Sequence, residues 1–246
     1  MPEQAWLDQY EKVKKKLEAP LDLNAYFTQM EIGGVPIDWL EIGRVHFPTG
    51  RVLACDPLLE LLDDCPPYLQ QVPPGRYLVT LCVVPHALYG DRYACAKVTI
   101  RNRKPVRYEL AMTGRESLKA LSQLKEGDYF GFGVDGGMAC IADQATQEAF
   151  RAYWRNRPET ENFYDDLFCE ELEKNAKAHP KYQRDHGDWL NWTIPGTDCN
   201  LPIFTSGWGD GYYPCYFGYD AEDQICGIYL HFIDIAAEYA ETEEPV

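Results

Sequence analysis

Two glycine-rich loops hold the residues of this 246-residue chain whose types and spacing suit chemistry. The first contains Val134-Asp135-Gly136, and the second is Ser206-Gly207-Trp208-Gly209-Asp210-Gly211. Glycine permits backbone paths that expose amide groups or fix a neighbouring carboxylate or hydroxyl. If the loops meet in space, Asp135 and Asp210 form a carboxylate pair suited to general acid and base catalysis or to holding a cation. The candidate ligand-binding residues are therefore Asp135, Ser206, Trp208 and Asp210, with no catalytic residue assigned.

Each loop also has a structural interpretation, which we place ahead of the functional one for any single residue. Asp210 can accept hydrogen bonds from its own loop, and Trp208 can fill the core. Ser206 is not part of a G-x-S-x-G nucleophile elbow. The string at 131–136 matches G-x-G-x-x-G, but its aromatic alternation indicates a strand, and a helix is expected only near Asp143. We therefore expect close strand packing there rather than a dinucleotide site.

The cysteines and histidines predict neither a metal centre nor a cofactor. The nine cysteines contain no C-x-x-C pair, and the five histidines contain no H-E-x-x-H or i, i+4 pair. His231 alternates with Leu230 and Phe232 in a strand-like run, which is typical of a surface or hydrogen-bonded histidine. An odd number of cysteines without an export signal argues against a disulfide framework. We expect reduced thiols in a cytoplasmic protein.

The formal net charge of −16 is concentrated in the C-terminal part of the chain. Residues 158–246 hold 19 acidic and 4 basic side chains, whereas residues 1–157 hold 20 acidic and 19 basic ones. An acidic surface repels the phosphate backbone, so nucleic acid is not an expected partner. Such a surface can instead steer a basic protein partner or keep the protein soluble. Because no apolar run approaches the roughly 20 residues that span a bilayer, a membrane is not an expected partner either.

The hydrophobic pattern predicts an α+β fold built mainly from antiparallel sheet, either sandwich-like or barrel-like. An N-terminal helix spans 1–20, and two central helices pack on the sheet, one N-capped by Asp143 and one near 163–178. Short strands separated by turns fill the region from 24 to 113, and runs at 201–205, 212–219 and 225–233 predict a closing β-meander. We expect one domain over 21–235, with a subdivision near residue 157 left open, and an acidic tail at 236–246.

Several segments, taken in order between residues 45 and 234, carry a resemblance to a known family. They are Thr49-Gly50-Arg51-Val52-Leu53-Ala54-Cys55-Asp56-Pro57-Leu58, Val72-Pro73-Pro74-Gly75-Arg76-Tyr77, and the stretches 92–111, 133–143 and 206–214. The ordered set resembles the domain-of-unknown-function 4241 family, which is mainly bacterial. Tyr108 stands where the family pattern has a tryptophan, so the chain looks like a divergent member. The resemblance marks Asp135, Asp143 and the loop 206–210 as distinctive positions, but it implies no activity because the family has none assigned.

Two hypotheses on function follow from these patterns. The first is a non-enzymatic binding or interaction protein whose acidic C-terminal surface meets a basic partner, as an immunity-like, toxin-neutralising protein would. The alternative is a hydrolase-type enzyme that uses Asp135 and Asp210 in a glycine-rich cleft, with Trp208 as a stacking surface. An open cleft lined by Asp135, Ser206 and Asp210 favours the enzyme, whereas loops closed by their own hydrogen bonds favour a structural role.

Overall fold

The computed structural model describes residues 2–85, 90–125 and 127–239, and it builds them mainly into antiparallel sheet. The strands, numbered in chain order, are β1 (Glu31–Ile32), β2 (Val35–Pro36), β3 (Asp38–Phe47), β4 (Val52–Cys55), β5 (Gly75–Val84), β6 (Arg92–Thr99), β7 (Arg107–Leu110), β8 (Phe132–Val134), β9 (Met138–Asp143), β10 (Trp189–Thr193), β11 (Asn200–Thr205), β12 (Gly211–Tyr213), β13 (Cys215–Tyr219) and β14 (Ile225–His231). The α-helices are α1 (Gln4–Val13), α2 (Leu118–Ser122), α3 (Gln144–Trp154), α4 (Cys169–Ala178) and α5 (Ile235–Glu238).

Two sheets contain most of these strands. A six-stranded sheet has the order β3-β5-β6-β14-β13-β7, and a four-stranded sheet has the order β10-β11-β9-β4. A two-stranded ribbon formed by β8 and β12, and the hairpin β1–β2, complete the described pairings. The paired strands run antiparallel. The α+β prediction is confirmed in its sandwich-like form, because the described strands do not close into a barrel.

The four-stranded sheet is buried on both faces, and β9 shows how its sequence achieves this. Successive side chains of a strand point to opposite faces. Ala139 and Ile141 join the core shared with the six-stranded sheet, while Cys140 and Ala142 join the core under the central helices. A strand that is covered on both faces must be apolar throughout, and every residue of β9 is buried. The four-stranded sheet is therefore the middle layer of the fold.

The three predicted helices are present, with shifted boundaries. The first ends at Val13 and continues as a 3-10 turn over Lys14–Leu17, whose Leu17 is buried. The Asp143 cap is confirmed, since its carboxylate accepts a hydrogen bond from the N–H of Ala145 at 2.8 Å. The second central helix begins as a π-type turn over Tyr164–Phe168 before α4. No helix of the described ranges is long and apolar enough to cross a membrane.

The predicted closing β-meander is wrong. Strand β11 pairs with β10 and β9 in the four-stranded sheet, whereas β13 and β14 lie in the six-stranded sheet. The expected strand at 212–219 is split at Pro214, which lacks the N–H that would continue a ladder, so β12 leaves to pair with β8. The turn at Asp220, whose carboxylate accepts the N–H groups of Glu222 and Gln224, does join β13 to β14 as predicted.

The C-terminal end differs from the predicted acidic tail at its start. Residues of the expected tail form helix α5, whose N-cap Asp234 accepts a hydrogen bond from the N–H of Ala237 at 3.2 Å. Its first residue, Ile235, is fully buried and belongs to the core shared by the two large sheets. Burial of this apolar side chain holds the short helix against the sheet. The rest of the predicted tail, residues 240–246, lies outside the described residues.

Among the glycines with a left-handed backbone conformation, Gly50, which lies just before β4, should tolerate substitution by alanine least. Its φ is +73°, and a Cβ there would lie 1.9 Å from the carbonyl oxygen of Val72. Gly34 has a φ of +80° but no atom within 4 Å of a Cβ. Both alanine variants incur backbone strain of about 1 kcal/mol, but only Gly50→Ala adds a backbone clash. We expect urea denaturation to show a loss of at least about 3 kcal/mol for Gly50→Ala and about 1 kcal/mol for Gly34→Ala. Equal losses would contradict this account.

Candidate functional site

The β8–β12 ribbon brings the two glycine-rich loops together. The last pair of its ladder is Val134 opposite Gly211. Asp135 follows Val134 and Asp210 precedes Gly211, so the two aspartates directly flank the last pair of this ladder. Both aspartates are exposed. The two loops therefore meet at this end of the ribbon, and both carboxylates lie on the surface.

A buried carboxylate that the sequence analysis did not single out holds the first loop in place. Asp56 is 1% exposed and follows directly after β4. One of its oxygens accepts the N–H groups of Asp135 at 3.0 Å and Gly136 at 2.7 Å, and the other accepts the N–H of Leu58 at 2.8 Å. A buried charge is tolerated when hydrogen bonds replace its hydration. Asp56 could have been found in the sequence as an acidic residue directly after an apolar strand, within the segment 49–58 that carries the family resemblance.

The second loop is closed by its own hydrogen bonds. Ser206 is fully buried, and its hydroxyl donates to the carbonyl of Gly209 at 2.8 Å. The hydroxyl of Tyr213 donates to the same carbonyl at 2.8 Å. The N–H of Ser206 donates to Gly137 at 3.2 Å, which ties this loop to the first one. The candidate Ser206 therefore lies at the centre of the loop, where its hydroxyl is occupied.

Trp208 and Asp210 do not have the structural roles considered for them, which were filling the core and accepting hydrogen bonds from the loop. Trp208 is 47% exposed rather than buried in the core, so the expectation that it fills the core is wrong. The guanidinium of Arg92 lies 4.8 Å from the centre of its ring. Within the described ranges, the carboxylates of Asp135 and Asp210 take part in no hydrogen bond or ion pair, whereas Asp210 was expected to accept bonds from its own loop. Both carboxylates remain open to solvent.

The outer face of the ribbon continues from the carboxylates into aromatic side chains. Tyr212 is 50% exposed and its ring stacks on Tyr129, with ring centres 6.1 Å apart and an angle of 14° between the planes. Tyr129 donates its hydroxyl to the carbonyl of Tyr212 at 2.9 Å. Gly133 lies opposite Tyr212 and leaves the backbone between them uncovered. We call the surface formed by Tyr129, Gly133, Asp135, Asp210 and Tyr212 the ribbon face.

The glycines of the 131–136 string have the structural role that we predicted. A Cβ on Gly131 would lie 2.2 Å from the carbonyl oxygen of Tyr213, so only glycine lets β8 approach β12 this closely. The chain then turns into another strand, β9, rather than into a helix whose N-terminus could bind a pyrophosphate. Asp143 is likewise structural, because it caps α3 and accepts the hydroxyl of Thr49 at 2.7 Å. Among the described residues, no group of three or more histidine, cysteine or acidic side chains is arranged to hold a metal ion.

A cleft of about 290 Å³ lies beside the ribbon face, and the sequence analysis did not anticipate it. It lies between the segment that follows the first helix and the rings of Tyr129, Tyr212 and Tyr216. His231 lies in its wall, where its Nε2 is 3.1 Å from the hydroxyl of Tyr26. Of the two alternatives expected for His231, a surface or a hydrogen-bonded histidine, the hydrogen-bonded one is observed. Burial lowers the pKa of His231 to about 4, so the ring is neutral at pH 7.

Asp56→Asn tests the support of the first loop. The amide that replaces the carboxylate keeps one acceptor but turns a donor towards backbone N–H groups, so buried donors lose their partner. We expect the free energy of unfolding to fall by about 2–3 kcal/mol in denaturant titrations, and the amides of Asp135 and Gly136 to exchange hydrogen faster. Asp64→Asn is the control, because that exposed carboxylate pairs with exposed Arg115 and should cost less than about 0.5 kcal/mol. Equal losses in the two variants would contradict the role of Asp56.

His231→Gln tests the buried neutral histidine through the pH dependence of stability. The ordinary histidine pKa of about 6.5 applies to the unfolded chain, and the pKa in the folded protein is about 4. Between these values the unfolded chain binds the additional proton, so stability falls as the pH decreases from 6.5 to 4. From pH 7 to pH 5, the wild-type protein should lose about 2 kcal/mol more unfolding free energy than His231→Gln. His186→Gln, at an exposed histidine, should retain the wild-type pH dependence; the same retention in His231→Gln would contradict the assignment.

Comparison with known proteins identifies the family of the chain. No curated protein and no solved structure matches it. The family described as "Protein of unknown function (DUF4241)" matches residues 45–230. That range contains Asp56, both loops of the ribbon and most strands of the two large sheets, so the resemblance seen in the sequence is confirmed. Because the match covers most of the chain, the protein belongs to the DUF4241 family.

Proposed function

We propose that this protein is a non-enzymatic binding protein whose ribbon face takes a basic segment of a protein partner. The observation that carries the proposal is the pair of exposed carboxylates, Asp135 and Asp210, for which the described residues provide no cation. Like charges that face each other across a ladder are destabilising. An arginine or lysine side chain from a partner relieves that repulsion and forms charge-assisted hydrogen bonds with both carboxylates.

The surroundings of the carboxylates support the same partner chemistry. Exposed rings of Trp208 and Tyr212 lie on either side of Asp210 in the sequence, and cations bind favourably over such rings. The contact between Arg92 and Trp208 is an example of this interaction within the chain. The excess of acidic residues in 158–246 adds a long-range attraction that accelerates the encounter with a basic protein. A toxin-neutralising protein is one form that this function takes.

A hydrolase that uses Asp135 and Asp210 is the second candidate, and the position of both residues next to the last pair of the ribbon supports it. An acid and base pair depends on environments that differ between the two carboxylates. Here both are exposed at the end of the same ribbon, and Ser206 donates its hydroxyl within its own loop. Recognition of a cation requires only charge and access. These features favour binding over hydrolysis.

A reducing compartment such as the cytoplasm is part of the proposal. All nine cysteines are free thiols, and seven of them are buried. Burial raises the pKa of Cys95 and of Cys82, the latter to about 12, which keeps these thiols protonated and unreactive. Such thiols act as small apolar side chains of the core.

The test measures the affinity of a synthetic arginine–glycine repeat peptide for the wild-type protein and for Asp135→Asn/Asp210→Asn. We expect the double variant to raise Kd by at least about tenfold, because it removes both anionic partners of the guanidinium groups. The matched control is Glu159→Gln/Asp165→Asn, which removes the same charge from exposed positions elsewhere in the acidic part. That control should change Kd by less than about twofold at physiological salt.

Two outcomes would overturn the proposal. Equal weakening in both double variants would mean that the peptide responds to net charge rather than to the ribbon face. A hydrolytic activity that Asp210→Asn abolishes, with peptide affinity unchanged, would establish the hydrolase instead. Unfolding curves of each variant show whether the substitutions leave the fold intact; both replace exposed carboxylates, so we expect changes within about 0.5 kcal/mol.

A further inference from the structure

The cleft beside the ribbon face is lined by aromatic residues from separate parts of the chain. Tyr129 precedes β8, Tyr212 and Tyr213 belong to β12, Tyr216 belongs to β13, and Phe232 follows β14. Tyr213 and Phe232 pack edge to face, with ring centres 5.1 Å apart. At about 290 Å³, the space suits one small organic group rather than a nucleotide.

The charges that line the cleft favour a cation. Asp234 is the single acidic residue among the described lining residues, and these include no lysine or arginine. His231 adds no positive charge at pH 7, since burial lowers its pKa to about 4. Burial raises the pKa of Tyr213 and Tyr216, so their rings remain neutral phenols. Lys15 and Lys16 line an adjoining cleft instead, and Lys16 Nζ lies 3.5 Å from the carbonyl of Leu124.

Basic side chains of the six-stranded sheet already lie over aromatic rings elsewhere in this protein. The Nζ atom of Lys97 is 5.4 Å from the ring centre of Phe27 and 5.6 Å from that of Tyr229. The guanidinium of Arg107 is 3.8 Å from the ring centre of Tyr219. In the cleft the rings are present without a cation from the described lining residues. Aromatic cages recognise quaternary ammonium groups, and here the aromatic lining also contains the carboxylate of Asp234.

We propose that this cleft binds an organic cation of the alkylammonium class, with the charged group against Tyr129, Tyr212 and Tyr216 and with Asp234 as its counter-charge. This site does not depend on the carboxylates of the ribbon face. One oxygen of Asp234 accepts the N–H of Ala237 at 3.2 Å, and the second oxygen is left for the ligand. The same chemistry is offered by a free quaternary ammonium compound and by a trimethylated lysine side chain.

The experiment compares choline with its neutral isostere 3,3-dimethylbutan-1-ol by calorimetric titration of the full chain. We expect choline to bind at least about tenfold more tightly, because only the cation interacts with the ring quadrupoles and with Asp234. A peptide that carries trimethyl-lysine is titrated in parallel. Tighter binding of the peptide identifies a protein side chain as the source of the cation, and tighter binding of choline identifies a free compound.

Three variants locate the bound cation. Tyr129→Leu should weaken choline binding by at least about fivefold, whereas Tyr129→Phe, which keeps the ring, should stay within about twofold. Asp234→Asn removes the counter-charge but retains an N-cap for α5, and it should weaken binding by about threefold or more. The ribbon variant Asp135→Asn/Asp210→Asn should leave choline affinity within about twofold, which separates this site from the proposed peptide site.

The proposal is overturned if choline and the neutral isostere bind equally, because the cleft is then simply apolar. The proposal is also overturned if neither choline nor the trimethyl-lysine peptide binds at about 10 mM, because a site with a millimolar Kd would be occupied at that concentration. Choline affinity that is unchanged in Tyr129→Leu places the cation outside the cleft and has the same consequence.

Discussion

The buried carboxylate of Asp56 is the interaction on which the arrangement of the site depends. Its oxygens accept backbone N–H groups of Leu58, Asp135 and Gly136, and so join the end of β4 to the loop after β8. A Cβ on Gly136 would come within 3.1 Å of that carboxylate, a tight contact, so glycine eases the close approach of the loop. If these hydrogen bonds were lost, the carboxylate of Asp56 would be buried without partners, and the loop that presents Asp135 would lose its support.

The second loop depends on the first through a chain of contacts that begins at this anchor. Ser206 donates its N–H to Gly137, and Tyr213 reaches back from β12 to the carbonyl of Gly209. The hydroxyl groups of Ser206 and Tyr213 are thereby engaged within the loops, while the side chains of Asp135, Trp208 and Asp210 are exposed. Buried polar groups serve the fold here, and exposed ones are left for a partner. This division separates the residues of the two loops into those that build the ribbon and those that the ribbon presents.

Two neighbouring surfaces follow from the same ribbon, and they differ in electrostatic character. The ribbon face is open and carries carboxylates that pair with none of the described residues, which suits a guanidinium or ammonium group that remains partly hydrated. The cleft behind Tyr129 and Tyr212 is aromatic, and Asp234 is the one carboxylate among its described lining residues, which suits a weakly hydrated cation. The low pKa of His231 matters to the cleft, because a charged imidazole in its wall would repel a cation.

Patterns within short segments were sufficient to predict much of the fold. Short strand-like runs separated by turns predicted the strands between residues 24 and 113, and the Asp143 cap located α3, because each depends on contacts within a few residues. The sequence also determined the acidic imbalance and the two glycine-rich loops as the unusual positions. Pairing between distant strands was decided by tertiary structure: β11 pairs with the distant β9 on the side opposite its chain neighbour β10, and β12 leaves β13 at Pro214 to pair with β8. Burial of Asp56 and Ser206, exposure of Trp208 and the aromatic cleft likewise became defined only when segments more than 70 residues apart came together, because burial and partner choice are properties of the packed chain and not of its local pattern.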